Sequence, residues 1–155
     1  MEGNFSINGS ENKLSFASED TLLKLLRANG HVDVKEGCGE GLCGACVVLV
    51  DGVPMNSCQI FAAQAIGREI TTVEGLGTIQ NAHPIQEAFV DAGAVQCGFC
   101  TPGMVLVTSW LLSKNPDPTE DEIKRALDGN LCRCTGYVKI IDAVKLAARR
   151  VKENA

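Results

Sequence analysis

What the sequence lacks narrows its role before any motif is read. No apolar stretch approaches the roughly 20 residues that span a bilayer; the longest candidate, Gly103 to Leu112, reads as a buried helix. The opening residues, MEGNFSINGSENK, carry neither the positive start nor the apolar run of a secretory signal, so a cytoplasmic protein without a membrane span is expected. Basic residues are outnumbered, 14 Lys and Arg against 19 Asp and Glu, which leaves a net charge of -5. Such a composition supplies no basic patch for a nucleic acid or an anionic membrane. Histidine is scarce too. Of the 2 present, His31 lies in a polar stretch and His83 beside Pro84, and both read as surface residues. No general base, nucleophile or substrate pocket is expected on this chain, and no catalytic residue is assigned.

What is present is an ordinary globular balance, 45% hydrophobic and 21% charged over 155 residues, enough for one domain or two small ones. The exception is cysteine, at positions 38, 43, 46 and 58 and again at 97, 100, 132 and 134. A gap of 38 residues free of cysteine separates the two groups, which suggests two sites on two halves. In a reducing cytosol eight thiols are more easily explained as metal ligands than as four disulfides; an exported form with its signal removed is the circumstance in which disulfides would hold.

The halves differ in period. Phe5 and Ile7 alternate with polar residues, Asn8-Gly9 offers turn chemistry, and Leu14 and Phe16 alternate again, which predicts a hairpin. A short helix follows with Leu22, Leu25 and Leu26 on one face and Ser18 or Asp20 as its cap. Cys46 to Val50, ending in Asp51-Gly52, and Ile70 to Val73 read as further strands. Beyond a linker in Glu74 to His83, only helical signals remain. Ile85, Ala88, Phe89 and Ala92 follow Pro84, and Pro102 opens an apolar helix to about Ser113. Thr119 with Glu122 forms a capping box for a helix that Gly129 can end, and Tyr137, Ile141, Val144, Ala148 and Val151 mark a last one. The expected fold class is α+β, with residues 1–76 a small sheet packed on one helix and residues 77–155 an all-α four-helix bundle. No internal repeat is visible, since the two cysteine patterns differ.

Cys38, Cys43, Cys46 and Cys58 give C-x4-C-x2-C with a fourth cysteine downstream, the spacing of plant-type 2Fe-2S proteins. Thiolate suits a redox site because soft anionic sulfur holds both oxidation states of iron. A cluster bound by four thiolates is an anion, and Gly39, Gly41 and Gly44 let the backbone wrap it with N–H groups aimed at sulfur. Residues 39 to 44 also match G-x-G-x-x-G, but they do not join a strand to a helix, which argues against a dinucleotide fingerprint. In the second group, Cys97-x2-Cys100 precedes one helix and Cys132-x-Cys134 follows another, bringing four sulfurs to one end of a helical pair. The single intervening residue, Arg133, is expected to point away. Pro102 places this site near a helix start, where unpaired N–H groups favour an anion by about 0.3–1 kcal/mol. Structural zinc is the alternative for either group, although zinc ordinarily pairs two C-x2-C or C-x2-H knuckles.

The motifs EGCGEGLCGAC (36 to 46), QCGFCTPG (96 to 103) and GNLCRCTGY (129 to 137) together resemble the small iron-sulfur subunit of the xanthine oxidase family of molybdenum hydroxylases, and the resemblance covers essentially the whole chain. It implies a β-grasp, ferredoxin-like domain followed by a helical 2Fe-2S domain. It implies two 2Fe-2S clusters, a large partner subunit carrying molybdopterin in its cytosine dinucleotide form, and a medium subunit carrying FAD. Carried over, Cys97, Cys100, Cys132 and Cys134 would hold the cluster nearer molybdenum, and Cys38, Cys43, Cys46 and Cys58 the one facing the flavin. Gln96 matches a residue that hydrogen-bonds the pterin, and Cys134 the ligand whose sulfur approaches the pterin amine. Cys58 follows Cys46 by 12 positions, much sooner than in free-standing plant ferredoxins, which favours the subunit over an independent shuttle protein.

Overall fold

The structure, a computed structural model, describes residues 1–153, so positions 154 and 155 of the expected second domain lie outside the described residues. The chain begins with the expected hairpin. Strands β1 (Glu2–Ile7) and β2 (Ser10–Ser15) pair antiparallel through a turn at Asn8-Gly9. Both turn residues have positive φ, 51° and 76°, the backbone that a two-residue hairpin matching the sheet's twist requires. Asn8 does more than turn: its Oδ1 accepts from Thr72 N at 2.8 Å and its Nδ2 donates to Thr72 Oγ1 at 3.0 Å, tying the hairpin to a segment 64 positions away.

The sheet is completed by β3 (Val47–Val50), β4 (Val53–Asn56) and β5 (Glu69–Thr71), in the order β2-β1-β5-β3-β4, with β1 and β5 parallel and the other neighbours antiparallel. Helix α1 (Leu22–Ala28) buries four leucines in one core with Phe5, Ile7, Val48 and Ile70. Its cap differs from expectation. Thr21 Oγ1 accepts from Lys24 N, whereas Asp20 accepts from Ala17 N and pairs with Lys24. The shift has a cause: Leu22 N–H bonds Ile60 O at 2.7 Å and Thr21 bridges Phe61, so the chain stays extended through Thr21 before the helix can begin. Strand β4, which the sequence did not signal, contains Pro54 and is only half buried on alternate residues; at a sheet edge the missing N–H is tolerated.

Among the described residues, the second half contains helices and no strand. The linker opens with one short turn, α2 (Val73–Leu76), followed by α3 (Pro84–Asp91), α4 (Thr101–Lys114), α5 (Glu120–Leu127) and α6 (Val138–Glu153). The Thr119/Glu122 capping box forms as expected. His83 is not the surface residue its neighbourhood implied. It caps α3, with Nδ1 accepting from Ile85 N at 3.3 Å, while Gln86 Oε1 accepts from His83 N. Gln86 Nε2 also donates to Val73 O and Gly77 O, stitching the linker onto α3.

Strand β3 joins the halves. All four of its residues are buried, because it faces two cores: Val48 and Val50 pack with α1, while Val47 and Leu49 pack with Ile85, Met104, Leu111 and the rest of the helical core.

Candidate metal centres

The first cysteine set hangs on the loop between α1 and β3 and on the turn after β4. Gly39, Gly41 and Gly44 have φ of 70°, 78° and 69°, and this left-handed backbone turns successive amides inward. The N–H groups of Glu40 and Leu42 each donate to Cys38 Sγ at 3.3 Å and hold that thiol down at about 7. Gln59 Nε2 lies 3.4 Å from Cys58 Sγ. Cys46 is buried, and burial pushes its thiol up to about 11. The sulfurs meet in pairs, Cys38 with Cys43 and Cys46 with Cys58.

The second set gathers where α4 begins and where α5 gives way to α6. Cys97 and Cys134 have their Sγ atoms 3.5 Å apart, and Cys100, the N-cap of α4, contacts Cys132. The Phe99 N–H, and then the Cys134 thiol, lower Cys97. Burial lifts Cys100 to about 12. At Cys132 burial works upward, but the Thr135 hydroxyl at 3.2 Å and the N–H groups of Thr135 and Cys134 outweigh it, so the thiol is lowered. Cys134 is raised, first by its bond with Cys97 and then by burial. Arg133, between the two ligand candidates, is exposed.

Pairing in twos separates the two metals under consideration. A zinc ion about 2.3 Å from four sulfurs would hold all of them roughly 3.8 Å apart. Among the described residues, no three cysteine sulfurs lie mutually within 4.8 Å. Two pairs, each ready for one iron, are what a binuclear cluster needs, and N–H groups directed at sulfur suit its negative charge. The donor set therefore fits a 2Fe-2S group at each site.

The two loops touch. Leu131 N donates to Cys43 O at 2.9 Å, so the residue beside one cysteine bonds directly to a cysteine of the other set. Asn130, 3% exposed, donates from Nδ2 to Gly44 O at 3.0 Å. Tyr137 OH accepts from Cys132 N and donates to Asn130 O, fixing the Cys-x-Cys turn. Sequence reasoning missed Asn130, Gln59 and Thr135, and read Tyr137 only as a helix residue; all but Gln59 stand in or beside the GNLCRCTGY segment. Gln96 is exposed next to Cys97, and its amide makes no hydrogen bond among the described residues.

A 2Fe-2S iron-sulfur cluster binding domain matches residues 5–65 and a [2Fe-2S] binding domain matches residues 72–145. The chain is 49% identical to the nicotinate dehydrogenase small FeS subunit of Eubacterium barkeri over 95% of its length and 94% of that protein's. It is 47% identical to the xanthine dehydrogenase iron-sulfur-binding subunit of Escherichia coli O157:H7, covering 90% of this chain and 89% of the other. This chain belongs to the iron-sulfur subunits of the xanthine oxidase family. Its backbone agrees: quinoline 2-oxidoreductase from Pseudomonas putida 86 superposes with a TM-score of 0.94 at 40% identity, over 99% of this chain and 96% of that one. The xanthine oxidase family assignment thus rests on both halves at once.

Proposed function

We propose that this chain is the electron-transfer subunit of a molybdopterin-dependent hydroxylase complex, and that its eight cysteines hold two 2Fe-2S clusters. Bound there, each cluster takes up and releases a single electron. Cys38 with Cys43, and Cys46 with Cys58, would each hold one iron of the first cluster; Cys97 with Cys134, and Cys100 with Cys132, would do so in the second. The observation that carries this reading is the pairing of sulfurs within two sets whose loops are joined by the Leu131 N–H to Cys43 carbonyl bond. That bond fixes the spacing of the two ligand loops, and α4 keeps the second set at its own N-terminus. The proposed division into residues 1–76 and 77–155 is supported by the first core, whose buried residues all lie between Phe5 and Ile70, while Val47, Leu49, Val73 and Leu76 pack across it onto the helical core.

The partners follow from the family. A large molybdopterin subunit would perform the hydroxylation and a medium FAD subunit would accept electrons, with the second set facing molybdenum. Gln96 and Cys134, both exposed at that set, would meet the pterin, and their exposure supports that reading. Substrate choice belongs to the large subunit.

Cys100→Ser in the intact complex should abolish one of two 2Fe-2S signals in the electron paramagnetic resonance spectrum of the reduced protein and stop turnover, leaving the other signal. Two intact signals with normal turnover would overturn the ligand assignment. Gln96→Ala should lower the molybdopterin content of the purified complex at unchanged iron content; equal pterin content would remove Gln96 from that contact.

A further inference from the structure

Among the described residues, one group of side chains that could hold a metal ion lies outside both cysteine sets. His31, in the loop after α1, Asp33, two residues on, and Glu74, in the first turn of α2, each offer one donor atom, and the three atoms lie within 4.8 Å of one another. These residues come from opposite sides of the first domain's junction with the linker. The chain between His31 and Asp33 is tightly turned, with His31 N bonded to Leu26 O and Val34 N to His31 O, so both side chains are presented from one short span.

Asp33 supplies a second observation. The residue is 9% exposed, its Oδ2 accepts from Glu74 N, and its Oδ1 is buried without any hydrogen-bond partner. A buried carboxylate oxygen left without a partner is costly, and a cation is one of the few groups that offset it. No basic side chain among the described residues pairs with Asp33 or Glu74. The near lysine, Lys35, donates instead to Val32 O at 2.9 Å. The imidazole of His31 and the carboxylate of Glu74 make no hydrogen bonds of their own among the described residues. Asp33 and Glu74 also line a groove of about 510 Å³ shared with Gly77, Thr78 and Gln86, which leaves room for water to complete a coordination shell.

We propose that His31, Asp33 and Glu74 bind a divalent first-row transition cation that clips the loop leading to Cys38 onto the linker carrying the helical domain. The donor set is one imidazole nitrogen and two carboxylate oxygens with no sulfur, which suits manganese, ferrous iron or zinc and is distinct in hardness from the thiolate sites. Two carboxylates against one dication leave the site neutral. Of the three, Glu74 is the exposed one.

Manganese is the probe of choice, because it prefers oxygen and nitrogen to thiolate and leaves the cysteine sets alone. The full chain with its iron-sulfur clusters in place and oxidised is titrated with Mn²⁺, and the free-ion paramagnetic resonance signal is followed. The expected result is one tightly bound manganese per chain, with affinity falling at least tenfold in His31→Ala and in Asp33→Asn. Heating should show a higher melting temperature with manganese in the wild-type chain and none of that rise in either variant. His31 is only half buried, so its variant tests the site even if Asp33→Asn fails to fold. An absence of binding in the wild-type chain, or equal binding in His31→Ala, would overturn the proposal.

Discussion

At Gly44 and Gly103 two backbones meet with no space for a methyl group. A Cβ on Gly103 would strike the Gly44 carbonyl oxygen, and one on Gly44 would strike the Gly129 carbonyl oxygen. The Gly44 carbonyl is also the acceptor for Asn130, so the contact is both steric and polar. Gly44 stood out in the sequence as a residue that lets the loop wrap sulfur, and its φ of 69° agrees. Its second task was not legible, because the partner, Asn130, lies 86 positions away and nothing local marks the encounter. Cysteine identity and grouping, by contrast, were readable from spacing alone. Gly103→Ala should therefore act at the junction of the two ligand loops. We expect a loss of about 1–3 kcal/mol from overpacking, together with a slower exchange of electrons between the two iron-sulfur sites. Denaturant unfolding of the holo chain and rapid-freeze resonance measurements would register both; unchanged stability and exchange would mean that the junction accommodates the methyl.

Among elements, the long apolar ones were the most readable and the capped starts the least. Helices α4 and α6 follow their patterns to within a residue or two, since an apolar face sustained over several turns has few other uses. The start of α1 moved to Thr21 because a bridge to Phe61 decides where the chain can turn, and a bridge between distant segments leaves no local trace. Helix α3 shows the same thing at His83, which the sequence placed on the surface. As a cap its Nδ1 must accept from Ile85 N, so it must be unprotonated. Burial lowers its pKa from the ordinary 6.5, so the unfolded chain takes up a proton more readily than the folded one. The stability this cap contributes is full above about pH 6.5 and is lost as the pH falls below it. His83→Ala should cost about 0.5–2 kcal/mol near pH 8, and the gap to wild type should narrow towards pH 5. A gap that stays constant across that range in thermal melts would show that the ring's protonation plays no part.

For the whole molecule, the decisive feature is that β3 belongs to two cores. Its four apolar residues in a row read as a buried strand, but not as one buried by different partners on each side. Cys46 lies in the core of the first half, next to the Val47 that faces the helices, so a shift of the helical core against β3 would move the first cysteine set as well. A chain of two domains joined by a linker alone would let each half open independently. Here the sheet contributes Val47 and Leu49 to the helical core, and the Leu131 to Cys43 bond closes the same seam at the cysteine loops. The two halves should then unfold as one cooperative unit. Leu49 is 8% exposed and faces the helices, yet it sits on the strand that pairs with both β4 and β5. Leu49→Ala should cost about 2–5 kcal/mol, and hydrogen exchange followed by mass spectrometry should show β1, β5 and α4 losing protection by similar factors. Faster exchange confined to α4, with the sheet unchanged, would show that the halves open separately and that the shared strand does not couple them.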